Sequence, residues 1–146
     1  MKIYIRNRQR KVSLNLPRIK RELNRALLLL GYPEAELSLL FVNASAMRDM
    51  NARFRGKDTV TDVLSFPMED GTPQGKDVVL GDIVVCIPRA LTQAEEYGLA
   101  FHEELLRLLI HGLLHLAGYD HEKGSYQRRK MEKKEKELIH ALAAVA

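Results

Sequence analysis

His111-Gly112-Leu113-Leu114-His115-Leu116-Ala117-Gly118-Tyr119-Asp120-His121 follows directly on an almost wholly apolar run, Leu105 to Ile110. A run of that kind reads as a helix buried on most sides, the central helix of the fold. With 3.6 residues per turn, His111 and His115 leave the same helix face, roughly 6 Å apart along the axis. Gly118 suits the left-handed turn that ends a helix, so the chain can fold back and bring His121 to the pair. Three neutral imidazoles converging on one point are a ligand set for Zn2+ with a fourth position open to water. The expectation is one zinc per chain, on the C-terminal part of this helix, held by His111, His115 and His121. One histidine in an apolar helix is commonly a satisfied core residue, but three buried without a shared partner would carry several desolvation penalties.

The spacing His-x-x-x-His-x-x-Gly-x-x-His is that of the metzincin proteases, with one departure. Those enzymes place their general-base glutamate right after the first histidine. Here that position is Gly112, which has no side chain to take a proton. The metal scaffold is kept and the peptidase base is missing, which argues against a protease.

At 146 residues with 46% hydrophobic composition, the chain is long enough for a substantial core, and a single domain over residues 1–146 is expected. No apolar run approaches a membrane span, and Met1 to Arg6 lacks the apolar segment of a signal peptide, so the expected location is the cytoplasm. Cys86 is the sole cysteine, which excludes a disulfide framework and a cysteine-based zinc site; its apolar surroundings suggest an inert core thiol. The net charge of +4 is unevenly spread: up to Arg25 there are nine Lys or Arg and one acid, Glu22. A second basic group, Lys123, Arg128, Arg129, Lys130, Lys133, Lys134 and Lys136, follows the histidines. Such asymmetry points to an anionic partner, most commonly nucleic acid, although Lys130 to Glu137 alternates in sign as any solvated helix face does.

Taken in order, Lys2 to Arg6 alternates as a short strand with Ile3 and Ile5 on one face. A helix follows with Pro17 at its first position, Ile19, Leu23, Leu27 and Leu30 as its buried stripe, and Gly31 closing it. Leu37 to Val42 is nearly continuous in apolar residues and reads as a central strand. Ser45 can cap a second helix with Met47, Met50 and Phe54 facing inward, ended by the turn Gly56-Lys57-Asp58. Val60 to Phe66 is a third strand, stopped by Pro67. Glu69 to Asp77 is an exposed loop that could gate a cleft. Val78 to Ile87 is a fourth strand, broken by Gly81-Asp82, and Pro88 opens a third helix through Tyr97. After the histidine helix, a final helix from Ser125 presents Met131, Leu138, Leu142 and Val145 on one face. The fold class expected is α+β: a small mixed β-sheet of about four strands packed with about five helices.

These segments together carry a resemblance. The chain resembles the YbeY family of bacterial endoribonucleases, the ribosomal RNA maturation factors. The match rests on His-Gly-x-x-His-x-x-Gly-Tyr-Asp-His, on Thr61-Asp62-Val63-Leu64-Ser65-Phe66-Pro67, on Met50-Asn51-Ala52-Arg53-Phe54-Arg55-Gly56-Lys57 and on Leu80-Gly81-Asp82-Ile83. Position 60, often proline in that family, is Val60 here. The resemblance implies a zinc-dependent, single-strand-specific endoribonuclease acting in ribosomal RNA processing and ribosome quality control. RNA would then be its partner, with the ribosome or ribosomal proteins as further ones. The family's zinc ligands fall on His111, His115 and His121, and its functionally important arginine on Arg55.

Phosphodiester cleavage requires a nucleophile, neutralisation of the phosphoryl oxygens and a proton for the leaving oxygen. Arg55 could hold a non-bridging oxygen with its planar fork of donors, or be a helix-end cation favoured by the dipole. Asp62, Ser65 and Asp82 are polar positions beside apolar strand residues and are candidates for the same cleft. Either aspartate could orient an imidazole or act as base; for Asp82, the alternative is turn chemistry after Gly81. Asp120 reads as a turn residue or a support to a ligand, Tyr119 as core, and Met131 as ordinary helix packing. Two other readings stand beside the nuclease: a metallohydrolase of another class, such as a peptidase, and a non-catalytic ribosome assembly factor with structural zinc. A structural zinc usually has four protein ligands, and His102, about two turns before His111, is a poor fourth. Nothing in the sequence specifies an oligomeric state.

Overall fold

The computed structural model describes residues 2–75 and 77–143. Its elements run β1 (Lys2–Asn7), α1 (Leu16–Leu30), β2 (Glu36–Val42), α2 (Ala44–Arg55), β3 (Val63–Pro67), β4 (Val79–Cys86), α3 (Ile87–Tyr97), α4 (Phe101–Leu116) and α5 (Ser125–Ala143). The four strands form one sheet in the order β1-β2-β4-β3. β1, β2 and β4 are parallel, and β3 runs antiparallel to β4, so the sheet is mixed and the class is α+β. β2 is central, as its continuous apolar character indicates.

Strand register decides which side chains meet the helices. Ile5, Leu39, Ile83 and Ser65 are partners across the four strands and therefore share one face. Arg6, Leu40, Val84 and Leu64 share the other. The first face joins α1, α4 and α5 in the main core through Ile19, Leu23, Leu27, Leu105, Leu109, Met131 and Leu138. Full burial of each such side chain contributes about 1.5–3 kcal/mol, enough for this layer to dominate the stability. The second face holds a smaller cluster, where Met47 of α2 packs on Val42, Leu64, Val84 and Cys86.

Several boundaries differ from those expected. Asn43, not Ser45, caps α2, because its Oδ1 accepts the Ala46 N–H at 2.9 Å and Ser45 already lies inside the helix. Phe54 does not face inward: it is 56% exposed, meeting the Phe66 ring edge-on at 5.3 Å at the end of α2. β3 starts at Val63 rather than Val60, since the Asp62 carboxylate accepts the Val63 N–H at 2.7 Å, a local turn bond. β4 passes through Gly81 and Asp82 unbroken. A bulge absorbs the irregularity there: Glu36 pairs with Val79 and Leu37 with Gly81, leaving Leu80 as the extra residue. Val145 of the expected α5 stripe, and Lys76 of the expected loop, lie outside the described residues. No helix among the described residues is long and apolar enough to cross a membrane.

Candidate metal centre

α4 places the first two histidines. Its N-terminus is held by Glu103, which accepts the Ala100 N–H at 3.1 Å, and Leu105, Leu108, Leu109, Leu113 and Leu116 bury it. Two glycines let it sit where it does. A Cβ on Gly112 would meet Ile83 Cγ2 at 3.0 Å and Ser65 Oγ at 3.1 Å, so the helix approaches the sheet closely at that turn. Gly118, at φ +98°, takes the left-handed turn that ends the helix. A Cβ there would lie 2.9 Å from Thr72 Oγ1 and 3.2 Å from Gly71 O. Gly71 and Thr72 therefore pack against the turn that returns His121.

The three imidazoles converge. Ring centroids lie 4.7 Å apart for His111 and His115, 5.0 Å for His115 and His121, and 5.3 Å for His111 and His121. One nitrogen from each lies within 4.8 Å of the other two. His111 Nε2 and His115 Nε2 are 3.1 Å apart, close to the roughly 3.3 Å between nitrogens on a tetrahedral zinc. His121 Nδ1 is buried with no hydrogen-bond partner among the described residues, and in the tautomer that leaves it a lone pair, a cation would satisfy it. Burial, and then the neighbouring His111 and His121, push the His115 pKa down. That favours the neutral imidazole, the form that binds a metal. The donor set thus fits a metal ion.

His111 Nδ1 is hydrogen-bonded to Glu135 Oε1 of α5. A carboxylate only accepts, so Nδ1 carries the proton and Nε2 is turned toward the other two imidazoles. Glu135 was not among the residues expected. It occupies the α5 stripe Met131-Glu135-Leu138-Leu142, and that helical spacing is the signal that marks it.

The histidines open into a cleft of about 620 Å³ that also presents Arg55, Asp62, Ser65, Arg107, Asp120 and Lys123. Arg55 comes from the last turn of α2, before the left-handed Gly56. Ser65 Oγ donates a long bond, 3.4 Å, to Gly112 O beneath the helix. Asp120 accepts the Glu122 N–H at 2.8 Å, a local turn bond. Asp82 is not brought to this cleft. Its register neighbour Ile83 faces α4, so strand alternation turns Asp82 to the opposite side. There it lines a separate groove with Tyr4, Arg6, Arg8, Phe54 and Phe66. The basic N-terminal segment is accordingly not gathered at the histidines, whereas Lys123 of the second basic group is. His102 is no fourth ligand: its Nε2 pairs with Glu22 at 2.7 Å. Cys86 is buried in the second cluster, and that burial raises its thiol pKa.

Comparison with known proteins gives one family. The family model described as Endoribonuclease YbeY matches residues 4–143. A curated protein of that name from Geobacter metallireducens is 40% identical over 144 residues, covering 97% of this chain and 96% of its own. Another from Macrococcus caseolyticus is 46% identical over 112 residues, covering 74% and 72%. A solution structure of a Thermotoga maritima protein superposes with a TM-score of 0.70 at 31% identity, over 96% of this chain and 88% of that one.

Proposed function

The chain belongs to the YbeY endoribonuclease family, and from that premise we propose that it is a zinc-dependent endoribonuclease cutting single-stranded ribosomal RNA in ribosome maturation and quality control. Residues 1–146 act as one hydrolase domain, working in the cytoplasm on RNA presented alone or by ribosomal particles. The observation that carries the reading is the convergence of His111, His115 and His121 in a cleft that Arg55 also lines. A zinc ion on those imidazoles supplies Lewis acidity toward water or a phosphoryl oxygen.

The remaining work falls to the chain's own groups. Glu135 fixes the His111 tautomer and ring. Arg55, with its planar fork of donors, binds a non-bridging phosphoryl oxygen and stabilises the charge that grows there during cleavage. Asp62 lies at the cleft wall with one oxygen already bonded to the Val63 N–H, leaving the other to take or hold a proton. Gly112 supports this reading over a peptidase. The metzincin glutamate position points at Ile83 and Ser65, where a side chain has no room. A structural zinc would call for a fourth protein ligand, and the cluster found among the described residues has three. The test is cleavage of labelled single-stranded ribosomal RNA by metal-analysed protein, with and without a chelator. Cleavage that stops on chelation and returns with zinc is expected; metal-independent cleavage, or none at full zinc occupancy, contradicts the reading.

A further inference from the structure

Arg107 stands in the cleft one helical turn before His111, on the same face of α4. Glu104, 0% exposed, accepts from Arg107 Nε at 2.7 Å and from Nη2 at 2.7 Å, a two-armed clamp. From α3, Gln93 Nε2 donates to the same carboxylate at 2.7 Å and fixes it in place. The Tyr97 ring lies 6.0 Å from the guanidinium carbon. A guanidinium has five N–H donors, and the clamp uses two of them. The pair on Nη1 and the second on Nη2 remain. The carboxylate is inside and the cation, 37% exposed, is at the cleft wall. A tie between α3 and α4 alone would not need its cation facing the cleft, and a clamped fork has already lost the rotamer freedom that binding would otherwise remove.

We infer that Arg107 holds a backbone phosphate of the bound strand other than the one that is cut. It is a substrate-positioning residue, and the inference rests on the RNA-cleaving reading above. The two are separable by charge-deletion mapping. The probe is a short single-stranded RNA that the parent cleaves, made as a series with one uncharged methylphosphonate linkage at each position in turn. Affinity and single-turnover rate are measured for zinc-loaded parent, Arg107→Gln and Arg107→Lys.

For the parent, neutralising one linkage away from the cut weakens binding about tenfold, the scale of a charge-assisted hydrogen bond. Arg107→Gln binds the fully charged RNA about tenfold more weakly and loses the penalty at that one linkage only. Its salt dependence is shallower by about 0.7 in log–log slope. Arg107→Lys recovers part of the affinity, and the rate at saturating enzyme changes little in either variant. Since Arg107→Gln leaves Glu104 buried beside Gln93 alone, Glu104→Gln/Arg107→Gln, which removes both charges, is run alongside with melting temperature and zinc content. Variants that fold and keep the parent's penalty at every linkage overturn the inference and reduce Arg107 to a tie between helices. A zinc-loaded parent that binds and cleaves no single-stranded RNA overturns the function reading, and this inference with it.

Discussion

Replacing Glu135 by alanine removes the carboxylate bonded to His111 Nδ1 while all three imidazoles stay in place. Partners of this kind on a ligating histidine are worth about 10–100-fold in metal affinity, or about 1.4–2.7 kcal/mol. The pair is partly sheltered, with side-chain exposures of 27% for His111 and 17% for Glu135, so solvent screens it incompletely. Glu135→Ala should therefore fall toward the upper end of that range. Glu135→Gln keeps a carbonyl acceptor, and a neutral bond is about half as strong as a charge-assisted one, so it should fall toward the lower end. Weaker binding also lowers the zinc-loaded melting temperature through linkage. For a domain of this size the loss corresponds to about 3–11 °C. Competition titration against a chromophoric chelator reads the affinity, and calorimetric melts of metal-free and loaded protein separate metal effects from fold effects. Parent affinity in a well-folded Glu135→Ala would refute the claim that this carboxylate orients His111.

Gly112→Ala gains about 1 kcal/mol of helix propensity. It also forces a methyl 3.0 Å from Ile83 on a fully packed strand, at about 1–3 kcal/mol. A fall of about 2–4 °C in melting temperature is expected, and a rise would show that the sheet yields there. Gly112→Glu restores the protease-like spelling and should still not digest unstructured protein, because that side chain is aimed at the sheet; zinc-dependent proteolysis would contradict this. Gly118→Ala combines left-handed strain with contact on Thr72, so denaturant unfolding should show a loss of at least about 2 kcal/mol. Unchanged stability would mean the chain at Gly71 and Thr72 gives way freely.

The histidine centre was legible because its signals are local: an i, i+4 pair, an apolar helix and a glycine that ends it. Glu135 and Arg107 were harder, since their roles depend on which helices dock together. Each nonetheless sits at helical spacing from a marked residue, Glu135 from Met131 and Arg107 from His111. Glu135 also lies in a run of lysines that reads as solvated surface until α5 is seen against α4. Asp82 is expected at the cleft as a polar position beside apolar strand residues, but strand alternation through Ile83 and Val84 puts it on the far face. Asn43 and Ser45 are both good capping types two residues apart, and only the Asn43 bond to Ala46 decides between them. Phe54 keeps helical spacing with Met47, but α2 carries it to the end of the helix, where solvent and Phe66 meet it.

The central claim is that the imidazoles hold the metal while Arg55 meets the phosphate. Single-turnover cleavage of labelled single-stranded RNA at saturating enzyme, with zinc content measured on the same samples, tests it for the parent, His115→Ala and Arg55→Ala. His115→Ala should lose both zinc and cleavage, since one imidazole of the helical pair is gone. Arg55→Ala should keep zinc, because a guanidinium is no ligand, and lose about a hundred- to a thousandfold in rate, the cost of one preorganised donor to a developing oxyanion. Arg55→Ala cleaving at the parent rate with zinc intact, or His115→Ala retaining both, would contradict it.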